Sequence, residues 1–380
     1  MKYTLVSPCH FGLEAVLKNE ILEIGGKIEL VEDGRVTYSG DEALIARANV
    51  FLRTTERVLI QVGRVHAETF DELFEETKKL PWEHYLPKDA KFWVTKATSI
   101  KSKLFSPTDI QRIMKKAMVD KMSMKYGIKQ FPEDGASYPL RVSFYKDDAI
   151  IGLDTSGESL HKRGYRRLVS KAPITETLAA ALIMLTPWKK DRILIDPFCG
   201  SGTIPIEAAL LGLNIAPGLK RNFLGMTWDN IIAEKYWEEA KEEARQIMDT
   251  ETKLSIQGFD IDADIINSAR QNAKAAGVEE QIHFQQRPVK ELTSPKKYGF
   301  VITNPPYGER LEEKEAMPAL YKEIAEAFKN IPTWSYFLIT GYEDAQKYLG
   351  RNADKNRKIY NGMLKTYFYQ YYGPKPPKRN

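Results

Sequence analysis

The sequence predicts an α/β protein in which an α+β N-terminal half precedes a doubly wound parallel sheet. Three observations support this prediction. Apolar runs typical of buried strands alternate with helical periodicity between residues 193 and 340. Residues 2–50 instead follow the order strand, helix, strand, strand, helix, which is typical of a small α+β domain. Near the C-terminus, Asn361-Gly362 separates two aromatic-rich runs, which is a strong signal for an antiparallel hairpin.

Turn and capping signals divide the start of the chain. Gly25-Gly26 ends a helical pattern, Asp33-Gly34 is a hairpin turn signal, and Asp41 is suited to cap the next helix. These signals predict strands over residues 2–7, 27–31 and 35–38 and helices over residues 14–24 and 42–50.

A second α+β region begins at about residue 52. It repeats the alternation of strands and helices, but the element lengths differ and no strict internal repeat is found. The predicted elements are strands over residues 57–65, 91–99, 140–146 and 148–154 and helices over residues 69–79 and 106–126.

The C-terminal half alternates strands with helices, which predicts a parallel sheet with helices on both faces. An insertion over residues 214–249 separates the first helix from the second strand. We predict strands over residues 193–195, 254–260, 281–285, 298–303 and 334–340 and helices over residues 203–211, 263–276 and 317–329.

Composition excludes several classes of protein. The 380 residues carry a formal net charge of +5, which permits a nucleic-acid partner without requiring one. Cys9 and Cys199 are too few for a disulfide framework or a zinc site, and the histidines lack the spacing of metal ligands. The N-terminus lacks the apolar core of a signal peptide, and no apolar stretch is long enough to span a membrane. We therefore expect a cytoplasmic protein with no metal and no membrane partner, in which Cys199 is a small apolar filler.

A glycine-rich turn follows the first strand of the C-terminal half, and a helical pattern begins directly after it. Backbone N–H groups in such a turn can approach a ligand closely. A dinucleotide fingerprint would need a glycine where this chain has Pro205, and a P-loop would need a lysine in the turn. The turn, residues 196–202, resembles motif I of S-adenosylmethionine (SAM) methyltransferases, which holds the methionine end of the cofactor. Its candidate cofactor-binding residues are Asp196, Phe198, Gly200, Ser201 and Gly202.

Two acids follow the next predicted strand. A carboxylate at this point can accept hydrogen bonds from both ribose hydroxyls of a nucleotide. Asp262 directly precedes a helical pattern and suits the role of helix N-cap better. We therefore assign the ribose contact to Asp260, which lies 58 residues beyond Gly202 because of the insertion.

The sequence Asn304-Pro305-Pro306-Tyr307 follows an apolar strand. Two prolines in succession cannot continue a sheet, but they can hold a small rigid turn. The Asn304 side-chain oxygen and the Pro305 carbonyl can both accept hydrogen bonds from one exocyclic amine, and the Tyr307 ring can stack on the base that carries it. This turn resembles the catalytic motif of amino-methyltransferases that act on adenine N6, guanine N2, cytosine N4 or glutamine amides. We call residues 304–307 the amine-binding turn.

Basic residues cluster between the two halves of the chain. Runs of this kind are most often solvated surface, but a phosphate contact is an equally open reading where a tyrosine and a catalytic domain lie beside the run. The candidate RNA-binding residues are Lys162, Arg163, Arg166 and Arg167, with Lys96 and Lys101 as weaker candidates of the same kind.

Four segments resemble the bacterial large-subunit ribosomal RNA methyltransferases that carry a THUMP RNA-binding domain. They are residues 7–14, 153–166, 172–180 and 303–311, and the resemblance extends over nearly the whole chain. It implies a guanine N2 amine of 23S rRNA as target, SAM as cofactor, and 23S rRNA or a ribosomal assembly intermediate as partner. It also implies a ferredoxin-like element (1–52), a THUMP domain (53–160) and a Rossmann-like SAM methyltransferase domain (161–372). The residues of the tail, 373–380, themselves predict disorder.

One position departs from this family. The acid that often contacts the SAM adenine amine corresponds here to Pro288, which leaves open how the adenine is recognised.

Three alternative functions stay open. A tRNA guanine-N2 methyltransferase shares the domain plan, and a DNA adenine-N6 methyltransferase shares the amine-binding turn. A non-catalytic RNA-binding assembly factor would show a degraded glycine turn or amine-binding turn, and neither is degraded.

Overall fold

The structure is a computed structural model that describes residues 1–128, 130–166, 174–308, 311–362 and 364–377, except for the side chains of residues 311–313. The chain divides into two compact units. The N-terminal unit contains Met1–Pro8, Lys18–Leu160 and Lys220–Glu243, and the C-terminal unit contains Cys9–Leu17, His161–Leu219 and Ala244–Asn380. The predicted phosphate contact of Arg167 and the last residues of the predicted tail, 378–380, lie outside the described residues.

Within the described residues, the N-terminal unit contains one seven-stranded sheet. Its strands are β1 (Tyr3–Pro8), β2 (Lys27–Glu32), β3 (Arg35–Gly40), β4 (Leu59–His66), β5 (Lys91–Ile100), β6 (Ser137–Tyr145) and β7 (Asp148–Asp154). They are ordered β2-β3-β1-β4-β7-β6-β5, and β5 pairs in parallel with β6. Because β1 also pairs with β4, the two α+β regions predicted from the sequence share a single sheet.

The second helix of this part of the chain begins directly after Asp41, the predicted capping residue. The Asp41 side chain accepts a hydrogen bond from the Leu44 N–H, and Thr69 forms a capping box with Glu72. The helices are α1 (Glu14–Glu23), α2 (Glu42–Phe51), α3 (Phe70–Lys79) and α4 (Pro107–Tyr126), each within one residue of its predicted bounds.

A second seven-stranded sheet, counted over the described residues, forms the centre of the C-terminal unit. Its strands are β8 (Leu194–Asp196), β9 (Ile256–Asp260), β10 (Ile282–Gln286), β11 (Phe300–Thr303), β12 (Ser335–Thr340), β13 (Lys355–Asn361) and β14 (Leu364–Tyr371). The order is β10-β9-β8-β11-β12-β14-β13. The first five strands in this order are parallel, and β14 is antiparallel to both of its neighbours. The predicted C-terminal hairpin therefore extends the parallel sheet at one edge.

Helices cover both faces of this sheet. Leu194 and Ile195 are neighbours in β8, so their side chains point to opposite faces. Leu194 belongs to an apolar cluster with Ile204 and Ile266, and Ile195 belongs to another with Ile324. The helices of this half of the chain are α5 (Glu176–Met184), α6 (Thr203–Gly212), α7 (Glu234–Gln246, mainly in the insertion), α8 (Ala263–Ala276), α9 (Leu311–Lys329) and α10 (Ala345–Leu349).

Four helices differ from the prediction: α9 begins earlier than predicted, and α5, α7 and α10 had no predicted counterpart. Helix α9 begins six residues before the predicted start, and Pro318 lies within it. Helix α5 had no predicted counterpart, because its buried residues surround the helix and leave no polar face to produce a periodic pattern. Among the described residues, no helix is long and apolar enough to cross a membrane.

Most of the insertion belongs to the N-terminal unit, although it follows α6 of the C-terminal unit in the sequence. The Trp228 ring stacks on Tyr138 at 4.9 Å between ring centroids, and its Nε1 donates a hydrogen bond to the Ser137 carbonyl. Trp237 stacks on Phe223 at 5.5 Å. Both tryptophans are fully buried, so their apolar surface holds the insertion in this unit.

The order of the parallel strands reverses between β8 and β11. In open α/β sheets, ligands bind in the crevice beyond the carboxyl ends of the strands at such a point. Asp196, Asp260 and Thr303 are the last residues of β8, β9 and β11, so the predicted motifs meet at this edge.

Candidate active site

A cavity of about 730 Å³ opens at the carboxyl edge of the parallel strands. Predicted site residues from three separate motifs line it: Asp196, Phe198, Gly200, Ser201, Asp260, Asn304, Pro305, Pro306 and Tyr307. Pro288, the position that departs from the family, also lines it, as do residues that had not been predicted, among them Ile261, Val289, Leu320 and Glu323. The structure therefore brings the glycine turn, the acid after β9 and the amine-binding turn to one site.

The glycine turn wraps around the Asp260 carboxylate. The backbone N–H of Gly200, which has φ of 52°, donates to Asp260 Oδ2 at 3.1 Å. Gly202 has φ of 87° and does not line the cavity. A Cβ there would lie 3.0 Å from the Phe284 ring and 3.1 Å from Ala269. Gly202 is therefore required by its backbone conformation and by close packing against β10 and α8.

Asp196 lies beneath the cavity with 1% of its surface exposed. Its Oδ1 accepts hydrogen bonds from the Thr303 hydroxyl at 2.6 Å and from the Phe198 N–H at 3.1 Å. Burial raises the pKa of the Asp196 carboxyl to about 7, against the opposing effect of these two hydrogen bonds, and the nearby Asp260 raises it further. The bond to Thr303 links the glycine turn to the strand that carries the amine-binding turn, and sequence analysis had not identified Thr303.

The two acids after β9 have different partners. Asp260 Oδ1 accepts a hydrogen bond from the Asp262 N–H at 3.1 Å, and burial raises the pKa of the Asp260 carboxyl. Asp262 caps α8, because its Oδ1 accepts hydrogen bonds from the N–H groups of Asp264 and Ile265. The predicted helix cap is thus present at Asp262. The two backbone bonds fix the orientation of the Asp260 carboxylate at the cavity wall.

The amine-binding turn is supported from behind by α9. The Tyr321 hydroxyl donates to the Pro306 carbonyl at 3.3 Å and is bonded to the Thr340 hydroxyl at 2.6 Å. Asn304 and Tyr307 are half-buried. Gly308 follows with φ of 70°, and a Cβ there would lie 3.0 Å from the Lys314 backbone. No local sequence signal identified Tyr321, because its contact with the turn depends on how the helix packs on the sheet.

Two of the predicted RNA-binding arginines are internal to the C-terminal unit. The Arg163 side chain is 3% exposed, with Nε 3.7 Å from Glu207 Oε1. Arg166 donates to the Ile174 carbonyl and to the Thr203 hydroxyl, both at 2.7 Å. The prediction of phosphate contacts for this pair is therefore withdrawn, because their guanidinium groups are held by protein acceptors away from solvent.

The remaining basic candidates are exposed. Lys162 lies beside these arginines in the C-terminal unit. Lys96 in β5 and Lys101 directly after it belong to the N-terminal unit. Cys199, in contrast, is buried, and burial raises the pKa of its thiol well above the usual range, as suits an apolar filler.

Comparison with known proteins identifies the family. Residues 163–370 match the model of the RMKL-like methyltransferase domain. The chain belongs to this family. Residues 4–59 match the RlmL ferredoxin-like domain, and residues 67–154 match the THUMP domain. The predicted fold class, an N-terminal ferredoxin-like and THUMP half followed by a Rossmann-like methyltransferase domain, is confirmed.

Close relatives of this RMKL-like methyltransferase cover essentially the whole chain. The "Putative RNA methyltransferase YpsC" of Bacillus subtilis is 45% identical over 100% of this chain and 98% of its own. A "predicted N6-adenine-specific DNA methylase" from Listeria monocytogenes is 48% identical over 98% of this chain and 97% of its own, with a TM-score of 0.91. SMU.472, "a putative methyltransferase complexed with SAH", is 41% identical over 99% of both chains, with a TM-score of 0.93. SAH is S-adenosylhomocysteine, the molecule that SAM becomes after losing its methyl group.

Proposed function

We propose that this methyltransferase transfers a methyl group from SAM to the exocyclic N2 amine of a guanine in 23S rRNA. The observation that carries the proposal is the shared cavity, in which the glycine turn and Asp260 lie together with Asn304 and Tyr307. A cofactor held by the first two would present its methyl group to an amine held by the others. The cofactor is SAM, as the sequence predicted.

The residues at the glycine turn fit SAM. The volume of the cavity lies within the ~300–1,000 Å³ typical of small-molecule sites. The Ser201 hydroxyl is buried, lines the cavity and has no hydrogen-bond partner in the described part of the chain, so it can serve the methionine end of SAM. A Cβ at Gly200 would meet no atom within 4 Å, which leaves that side of the turn open. Asp260 is placed to accept hydrogen bonds from the ribose hydroxyls.

The amine-binding turn supplies what the acceptor requires. The lone pair of a guanine amine is delocalised into the ring, so the amine is a weak nucleophile. The Asn304 side-chain oxygen and the Pro305 carbonyl accept hydrogen bonds from the two N–H groups of this amine. These hydrogen bonds stabilise the positive charge that develops on nitrogen. The Tyr307 ring stacks on the base, which must be unpaired or flipped out of a helix.

The reaction is a direct displacement. The sulfonium of bound SAM supplies an electrophilic methyl carbon. The amine nitrogen forms the new bond to this carbon, the carbon–sulfur bond breaks with its electron pair going to sulfur, and S-adenosylhomocysteine leaves. The product ammonium is acidic and loses a proton to solvent, so no strong base is needed beside the turn. The contribution of the protein is alignment and charge stabilisation.

The THUMP domain and the name of the Bacillus subtilis relative support RNA as the acceptor. Resemblance to the large-subunit methyltransferases supports 23S rRNA as the RNA that is methylated. Lys162, Lys96 and Lys101 stay candidates for phosphate contacts, which would position the RNA without reading its sequence. We retain residues 1–52, 53–160 and 161–372 as the proposed functional domains.

A second candidate is methylation of adenine N6 in DNA. The name of the Listeria monocytogenes relative favours it, and the amine-binding turn can accept hydrogen bonds from either amine. The THUMP domain favours RNA over DNA.

The deciding experiment incubates the protein and its Asn304→Ala variant with SAM carrying a labelled methyl group. The acceptors are 23S rRNA and 16S rRNA from a deletion strain, bulk tRNA, and double-stranded DNA, and nucleosides are separated by mass spectrometry. We expect labelled N2-methylguanosine from 23S rRNA with the wild-type protein and not with the variant. Label found in tRNA guanine or in DNA N6-methyladenine instead would overturn the assignment of the acceptor.

A further inference from the structure

The part of the cavity beyond β9 and β10 is an apolar slot. Ile261 follows Asp260, is 71% exposed, and lines the cavity together with Pro288 and Val289. Hydrogen bonds hold the two loops side by side: the Arg287 N–H donates to the Asp260 carbonyl at 2.8 Å, and Gln286 Nε2 donates to the Ile261 carbonyl at 2.9 Å. Apolar side chains on adjacent loops suit the faces of a flat base. Since Asp260 at the mouth of the slot is the proposed ribose contact, that base is the adenine of SAM.

Adenine also has a polar edge, and the slot leaves it unmatched. The 6-amino group donates hydrogen bonds and needs an acceptor when water is displaced. The side chains of Ile261, Pro288 and Val289 contain no acceptor. Within the slot only backbone carbonyls can accept from this amine, so a side-chain acceptor must come from another element of the cavity wall.

Helix α9 supplies the missing element. Leu320 and Glu323, one turn apart on the helix, both line the cavity. Leu320 packs against the apolar cluster that contains Val289 and Ile324. Further along the chain, Asn330 Nδ2 donates to the Leu292 carbonyl at 3.4 Å. The second half of α9 therefore runs alongside the 3₁₀ helix Val289–Glu291. This 3₁₀ helix begins directly after Pro288.

The start of α9 lies at the other end of the cavity. Lys314 and Met317 lie against Gly308, beside the amine-binding turn. Glu323 follows Met317 by six residues, which is about 9 Å along a helix. Along the helix axis, Glu323 therefore lies farther than Met317 from Gly308. It lies two residues beyond Tyr321, whose hydroxyl reaches the amine-binding turn.

Four carboxylates line the cavity, and Glu323 differs from the others. Asp196 is buried and bonded to Thr303, and both Asp260 and Asp262 accept hydrogen bonds from backbone N–H groups. Within the described part of the chain, the exposed Glu323 carboxylate makes no hydrogen bond or ion pair. Both of its oxygens are available to a ligand in the cavity.

We propose that Glu323 accepts a hydrogen bond from the 6-amino group of the SAM adenine and so makes the site specific for adenine. Position 288, at the β10 edge of the slot, is a proline and has no carboxylate. Helix α9 supplies the carboxylate in its place. The proposal concerns the cofactor alone, so it does not depend on which amine the enzyme methylates.

The test is isothermal titration calorimetry with two ligands and no RNA. One is S-adenosylhomocysteine, and the other is S-inosylhomocysteine, in which a carbonyl oxygen replaces the 6-amino group. We expect the wild-type protein to prefer the adenine ligand, because a carboxylate attracts an amine and repels a carbonyl. Glu323→Ala should weaken the adenine ligand about tenfold, the effect of losing one hydrogen bond to a charged group. Glu323→Gln should strengthen the inosine ligand, since an amide can also donate.

Two further variants make the test specific. Glu326→Gln is the matched control, because Glu326 is an exposed acid one turn further along α9 that pairs with Lys329. It should bind both ligands as the wild type does. Adding Pro288→Asp to Glu323→Ala should restore preference for the adenine ligand, since it places a carboxylate at the edge of the same slot.

Two results would overturn the proposal. Unchanged affinity for both ligands in Glu323→Ala would show that the carboxylate does not reach the adenine. An equal loss for both ligands would show that Glu323 supports the shape of the site rather than reading the amine. If binding stayed unchanged while methylation of RNA fell, Glu323 would contact the acceptor base instead.

Discussion

Replacing Asp196 with asparagine should stabilise the cofactor-free protein, and more strongly as the pH rises. Asp196 is 1% exposed, and burial raises the pKa of its carboxyl from 3.8 to about 7. The folded state therefore binds a proton more tightly than the unfolded state. By linkage, the wild-type protein loses stability as the pH rises from about 3.8 to about 7, and this loss stops above the folded-state pKa. Asparagine cannot ionise, so the variant does not undergo this loss of stability.

The magnitude follows from the two pKa values. Raising a carboxyl pKa from 3.8 to about 7 corresponds to at most ~4 kcal/mol, or ~1.4 kcal/mol for each pH unit. Asparagine can still accept the hydrogen bonds from the Thr303 hydroxyl and the Phe198 N–H, so little else changes near Asp196. The free energy of unfolding of the variant should exceed that of the wild type by ~1 kcal/mol near pH 4.5 and by several kcal/mol near pH 8.

Urea unfolding of both proteins at matched pH values between about 4.5 and 8 measures this difference. Trp188 and Trp334 are buried in the C-terminal unit, and Trp228 and Trp237 are buried in the N-terminal unit, so the change in tryptophan fluorescence reports the unfolding of both units. Subtracting wild type from variant at each pH cancels the titration of groups that do not interact with Asp196. A difference in unfolding free energy that stayed constant over this pH range would refute the reasoning, because it would show that Asp196 is not held protonated by burial.

Three further predictions concern the site and its support. Asp260→Ala should weaken binding of S-adenosylhomocysteine by ~1–3 kcal/mol in calorimetry, because the ribose hydroxyls lose their acceptor; unchanged affinity would move the ribose contact to another acid. Asn304→Ala should lower the rate of methyl transfer by ~10²–10³-fold with S-adenosylhomocysteine affinity near wild type, and normal turnover would contradict the role of the amine-binding turn. Arg163→Gln should lower the unfolding free energy by ~3–5 kcal/mol, because it leaves Glu207 buried without its counterion, whereas Lys189→Gln, at an exposed lysine of the same unit, should change it by no more than ~0.5 kcal/mol.

The interleaving of the two units affects how the protein can be divided. The sequence suggests that a chain starting near residue 160 would contain everything needed to bind SAM. In the structure, Cys9–Leu17 belongs to the C-terminal unit, and the Arg357 guanidinium donates to the Gly12 carbonyl at 2.7 Å. Removing the first 160 residues would therefore also remove part of the unit that holds the cavity.

The sequence by itself determined the elements and the motifs at their ends. Asp41 and Asp262 cap helices as predicted, because a cap depends on hydrogen bonds between residues two or three positions apart. The glycine turn and the amine-binding turn were found in the same way. Alternating strands and helices impose a parallel sheet, so motifs at the carboxyl ends of its strands had to meet at one edge.

Only the tertiary structure decided which charged residues are available to a ligand. Arg163 and Lys162 are neighbours in one basic run, yet Arg163 is buried against Glu207, 44 residues away, while Lys162 is exposed. On the acidic side, Glu323 resembles any surface acid of a charged helix until α9 packs against Val289 and turns it to the cavity. Burial and partners of a charge are set by segments distant in the sequence, and a local pattern contains no information about them.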